Sequence, residues 1–120
     1  MNREEMLQYA LDAYGAEPEF LWQALPEACV LRHPNNRKWF AVTMPVERRT
    51  LGLPGEGKVD LLDVKCGPIL AGSFLDTPGV VPGWHMNKNQ WIGVLLDGSA
   101  PDETVRQLLD ISYDMTKGKI

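Results

Sequence analysis

Short apolar stretches alternate with clusters of Pro, Gly and Asn along the chain, and this punctuation outlines its elements. Near the start, Met6, Leu7, Ala10, Leu11 and Tyr14 recur at the spacing of one helix face. Asn2 can cap that helix, Glu5 completes a capping box, and Gly15 supplies a left-handed stop. The connector "AEPEFLWQALPE" follows, and its Phe20, Leu21 and Trp22 are expected to tuck onto the core. "ACVLRH" and "KWFAVTM" read as two strands joined across "PNNR" in a hairpin. "PVERRTLGLPGEG" reads as a loop. "KVDLLDVKC" then alternates, with Leu62, Val64 and Cys66 on one side and Asp63 and Lys65 on a face expected to be wet.

"GPILAGSFLDTPG" predicts a short helix that opens at Pro68 and stops before Pro78 and Gly79. "VVPGWHM" and "QWIGVLL" predict a second hairpin with Asn87, Lys88 and Asn89 at its tip. At least one of those tip residues is expected at positive φ, which Asn tolerates well. In the last helix Ser99 is the expected cap, closed by Asp102, and Val105, Leu108, Leu109, Ser112 and Met115 form the buried stripe. The resulting order is α-β-β-β-α-β-β-α. Hairpin links within each group of strands make the five-stranded sheet largely antiparallel. Helices must cover one face of it, which predicts a two-layer α+β domain spanning residues 1–120.

A chain of 120 residues can bury a real core without disulfides or metal. Its hydrophobic content of 44% and charged content of 23% are those of an ordinary globular protein. No apolar run approaches the roughly 20 residues of a membrane helix. The opening "MNREEMLQYALDAYG" lacks the apolar stretch of a signal peptide, so the expected compartment is the cytoplasm, with no membrane partner. Cys29 and Cys66 lie far apart, outside any C-x-x-C pair, and read as buried free thiols. Neither has a second ligand at metal-binding spacing, so no metal or cofactor is expected.

Net charge is −4, which by itself argues against nucleic acid. The charge is uneven, however. Residues 32–65 hold seven bases against four acids, and the rest of the chain holds five bases against twelve acids. The segment "GLPGEGKVD" imitates a phosphate loop through Gly52, Gly57 and Lys58. Val59 stands where Ser or Thr must hold magnesium, and a strand follows instead of a helix, so nucleotide hydrolysis is excluded. Cys29 or Cys66 with His33 or His85 could form a nucleophilic set, but no local signature joins them. His33, before Pro34 at a turn, reads as a solvated histidine. Trp84 and Trp91 read first as core and alternatively as a stacking platform for bases. Lys88 is either a solvated charge or a phosphate contact. Glu4, Glu5, Asp12, Glu17 and Glu19 read as a solvated acidic face.

The stretch "GWHMNKNQWIGVLLDGSAPDETVRQLLDISYD" resembles the MmcQ/YjbR family of small bacterial proteins. The carrying features are an aromatic-His-Met-Asn-Lys turn, a following Trp, a strand ending in Leu-Asp-Gly and a capped final helix. "RKWFAVTM" and "VDLLDVKCGP" are similar to the family's earlier strands and to the entry of its middle helix, although Gly67 departs from the acidic or polar residue expected before Pro68. The matching positions are Lys38, Lys65, Trp84, His85, Met86, Asn87, Lys88 and Trp91. The resemblance implies a CyaY-like or secretion-chaperone-like fold and DNA binding through two hairpin wings, with no enzyme activity or cofactor. The residues then expected on DNA are Arg37, Lys38, Arg48, Arg49, Trp84, His85, Asn87 and Lys88. The alternative is an acidic protein-interaction or chaperone-like module, and an enzyme built around His85 comes third. DNA requires those bases on one surface, a protein partner a contiguous exposed apolar patch, and an enzyme a deep pocket at His85.

Overall fold

A computed structural model describes residues 1–84 and 86–118. The first helix, α1, runs from Arg3 to Tyr14. Asn2 and Glu5 form the reciprocal capping box, and Gly15 closes the helix at φ 67°. Strands β1 (Cys29–Arg32) and β2 (Trp39–Glu47) follow, then a 3-10 turn at Arg48–Leu51 and strand β3 (Lys58–Lys65). Helix α2 spans Gly67–Phe74, strands β4 and β5 span Val80–Pro82 and Trp91–Leu95, and helix α3 spans Asp102–Thr116. The fold is α+β in the expected order, with an antiparallel five-stranded sheet in the order β1-β2-β3-β5-β4.

The sheet alternation sorts two clusters. Met6 and Ala10 of α1, Ala71 of α2 and Val105, Leu108 and Leu109 of α3 pack on Leu31, Ala41, Leu62, Val64, Ile92 and Val94. The opposite face carries Val46, Val59, Leu61 and Leu95, covered by loops instead of helices. Ser112 ties the layers together. Its hydroxyl donates to the Phe40 carbonyl at 2.6 Å and accepts the Lys65 N–H at 2.9 Å. Edge strand β1 is screened by a bridge between Glu19 and Val30 and by the Arg32–Glu19 ion pair.

Several local expectations are corrected. Strand β2 continues through Pro45 to Glu47. Past Thr43 it has no partner on the β1 side, which is where a proline is tolerated. Strand β4 ends at Pro82, so Trp84 and Met86 leave the sheet. Pro101, not Ser99, occupies the N-cap position of α3 and makes no side-chain capping bond, while Ser99 turns back onto the Asp97 carboxylate through its N–H and hydroxyl. Met115 is 48% exposed and Thr116, at 4%, takes the buried position. Phe20 and Leu21 stay exposed, and the Arg3 guanidinium lies over the Phe20 ring.

The turn between β1 and β2 also has a role beyond connection. Asn36 and Asn35 donate to the carbonyls of Thr116 and Lys117, fastening the end of α3. Arg37 there has φ 65°, whereas none of Asn87, Lys88 and Asn89 is at positive φ. His33 is 2% exposed, wedged between Phe40 and Tyr113, with Nε2 2.8 Å from the Thr116 hydroxyl. Burial lowers its pKa, so it is a neutral interior group and not a solvated one.

Candidate functional site

The face of the sheet without helices carries two adjoining hollows. One, of about 390 Å³, is walled by Trp22, Leu25, Met44, Val46 and Trp84, with Glu47 and Lys58 at its margin. The other, of about 160 Å³, lies between Thr50, Leu51, Val81 and Lys88, and Trp84 and Thr50 border both. Each wall has a local cause. The open-face parity of β2 places Met44 and Val46 there. The 3-10 turn, stopped by Gly52 at φ 72°, presents Thr50 and Leu51. The connector delivers Trp22, whose ring meets Trp39 edge-on with centroids 5.8 Å apart.

Trp84 reaches the face because the chain after β4 lies close to the sheet. A Cβ on Gly83 would stand 2.9 Å from the Trp91 carbonyl oxygen, and one on Gly93 would stand 2.9 Å from a Val81 methyl. Only glycine permits both approaches. Beneath this crossing is Asp63, on the open-face side of β3 between Val42 and Gly93. It is 1% exposed. Its Oδ1 accepts the backbone N–H of Trp84 at 3.0 Å, and its Oδ2 is buried without a hydrogen-bond partner among the described residues. Burial pushes its pKa up to about 7, against the opposing pull of the Trp84 N–H and of Lys88. The wet face expected at Asp63 is therefore dry. A perturbed carboxyl at a cleft marks a site candidate that the β alternation could not reveal, since the covering residue is 21 positions away.

Among the described residues singled out from the sequence, the bases are divided between the two ends of β2. Arg37 and Lys38 are exposed at the β1–β2 turn. Strand β2 separates them from Arg48 and Arg49 by about 26 Å at the usual rise per residue. Arg48 is half-buried and paired with Asp97 at 3.3 Å, which leaves Arg49 as the exposed base of that pair. Lys88 and Asn87 are exposed beyond Trp84, and His85 lies outside the described residues. The Asn87 side chain accepts the Asn89 N–H, and its carbonyl accepts those of Gln90 and Trp91, so the turn is braced without left-handed backbone. Trp84 is half-buried against the open-face cluster, and Trp91 is half-buried opposite Lys65, not in the core.

Among the described residues no group of three or more His, Cys, Asp or Glu is placed to hold a metal. No described helix is long and apolar enough to cross a membrane. Cys29 and Cys66 are buried free thiols.

Several known proteins share this architecture. A crystal structure of a protein from Pseudomonas syringae superposes with a TM-score of 0.93 at 37% identity, covering 97% of this chain and 99% of that one. A crystal structure of the Deinococcus radiodurans protein DR2400 matches at TM-score 0.70 and 23% identity, covering 99% of this chain and 81% of that one, a likeness of fold. The uncharacterized protein YyaQ of Bacillus subtilis is 32% identical over 117 residues, which are 98% of this chain and 99% of YyaQ. The uncharacterized protein YjbR of Escherichia coli K12 is 30% identical, covering 94% of this chain and 85% of that protein. The YjbR family model matches residues 11–115, and the chain belongs to that family.

Proposed function

We propose that this protein is a non-catalytic docking module whose open sheet face receives a segment of another protein. The occupant is an extended segment with bulky apolar side chains flanked by acidic residues. The observation that carries this reading is the apolar lining of Trp22, Leu25, Met44, Val46 and Trp84, with Lys58 beside the larger hollow and Lys88 beside the smaller. Glu47 faces Lys58 across the β2–β3 pair and favours one orientation of the acidic flank. A hollow of about 390 Å³ falls in the range of recognition pockets, and a few apolar side chains entering it would leave water.

Binding of DNA is the second reading. It is favoured by Arg49, Lys58 and Lys88 lying on or beside the same face as Trp84. It is weakened by the Arg48–Asp97 pair, by Glu47 and Glu56 beside Arg49, and by the distance to Arg37 and Lys38.

The deciding experiment records amide shifts of the labelled protein with three synthetic peptides and a short duplex DNA. The peptides share a Leu- and Phe-rich centre and carry acidic, neutral or basic flanks. The docking reading expects shifts at Met44, Val46 and Trp84 that are largest for the acidic flanks and disappear in Met44→Glu. Absence of peptide shifts, together with salt-sensitive duplex binding that weakens on replacing Arg49 and Lys88, would overturn it in favour of DNA.

A further inference from the structure

We propose that Asp63 is a positioning residue for Trp84, and that ionisation of its buried carboxyl loosens this wall of the groove. The proposal rests on the docking reading only for its consequence, because the latch itself can be measured without a partner. Three geometric facts carry it. Asp63 holds the Trp84 N–H with one carboxyl oxygen at 3.0 Å. Its other oxygen is buried and unpartnered among the described residues. Trp84 is the residue that both hollows share with Thr50.

A neutral carboxyl can remain under the loop at modest cost. A carboxylate there leaves a buried charge with one hydrogen bond, and water must reach it or a cation must approach. Asp63 is flanked by β2 and β5 and covered by the chain that follows β4. Val42 on β2 and Gly93 on β5 carry no charge. From the covering loop Lys88 acts on it, favouring the carboxylate without making a hydrogen bond among the described residues. His85, the loop's other titratable group, lies outside the described residues, so the test must treat it separately. The raised pKa of about 7 places the transition near neutrality.

Lifting Gly83 and Trp84 off the sheet would let water reach the carboxylate. The open population should therefore rise by about tenfold per pH unit until Asp63 is ionised in the closed form. The consequence is a groove with a fixed aromatic wall in mildly acidic solution and a loosened one in mildly alkaline solution. A partner that needs the wall in place should then bind more weakly as pH rises towards 7, with no further loss above it.

The test is the hydrogen-exchange protection factor of the Trp84 amide between pH 5 and 8.5, corrected for intrinsic exchange. In the unaltered protein it should fall about tenfold per pH unit and level off above about pH 7, while remaining below the protection of Leu62 and Val94. Asp63→Asn keeps an oxygen acceptor but cannot ionise, so its profile should be flat. Asp63→Ala removes the acceptor and should lower Trp84 protection at every pH; should it fail to fold, the Asn variant still decides. His85→Gln should retain the unaltered profile. A flat profile in the unaltered protein overturns the proposal, as does a slope that survives Asp63→Asn or vanishes in His85→Gln. Such a result would leave the peptide-docking experiment unaffected.

Discussion

Replacing Asp63 with Asn should change how stability depends on pH, not only its value. In the folded protein the Asp63 carboxyl ionises near pH 7, and once unfolded it returns to its ordinary value of 3.8. Between those values the folded state holds a proton that the unfolded state has lost. Stability from this group is therefore fully present below pH 3.8 and is lost as pH rises toward 7. At about 1.4 kcal/mol per pH unit, the interval corresponds to roughly 4 kcal/mol, a large part of a typical domain's 5–15 kcal/mol. His33 acts in the opposite sense. Its pKa is lowered by burial, so its contribution is present above its ordinary 6.5 and is lost as pH falls through the folded value. The unaltered protein should therefore show a flattened profile below pH 6.5, where the two slopes oppose each other. The difference between the unaltered protein and Asp63→Asn removes the His33 contribution. Urea unfolding followed by circular dichroism at half-unit steps from pH 5 to 8.5 gives that difference. It should move by about 1.4 kcal/mol per pH unit below pH 7, in favour of Asn as pH rises, and then become constant. Parallel profiles for the two proteins would show that Asp63 ionises normally and would refute the burial argument.

Other consequences are simpler to read. Ser112→Ala removes the acceptor of the Lys65 N–H and the donor to Phe40, and should cost about 1–3 kcal/mol in urea unfolding. Gly93→Ala forces a methyl within 2.9 Å of Val81 and 3.1 Å of Leu61, and should cost a similar amount, about 1–3 kcal/mol, unless β4 shifts away. If duplex DNA binds at all, replacing Arg48 and Arg49 together should flatten the salt slope by about 0.9, the value for one phosphate, because Arg48 is held by Asp97. Cys29 and Cys66 should resist thiol reagents in the native protein and both react after denaturation, since each is buried and burial raises its pKa.

What the sequence made legible, and what it did not, follows from the range of the forces involved. The capping box of Asn2 and Glu5 and the left-handed stop at Gly15 were readable because every partner lies within one turn of the helix. Val105, Leu108, Leu109 and Ser112 were readable because one helix face repeats regularly. The stripe failed at Met115, where the end of α3 is set by Asn35, Asn36 and His33 from a distant turn, and these select Thr116 for burial. The two faces of β3 were also separated correctly, since alternation requires it.

Alternation assigns a residue to a face but says nothing about what covers that face. Asp63 is the sharpest case. Its neighbours in the chain mark a solvated polar position, and its burial arises from β4 ending at Pro82 and from Gly83 and Gly93 letting the following loop come down. The charges behave likewise. Arg48 and Arg49 are indistinguishable in sequence, yet Asp97, at the far end of β5, withdraws one from solvent and leaves the other exposed. The stretch around Trp84 does join two antiparallel strands, β4 and β5, but β4 stops at Pro82 and Trp84 turns onto the open face. It is a loop folded back over the sheet, with an aromatic side chain between two hollows and its backbone anchored to a buried acid. If that anchor governs the wall, the chemistry of this face depends on a single proton on a buried carboxyl beneath it. Docking at Trp84 and titration at Asp63 must then shift together.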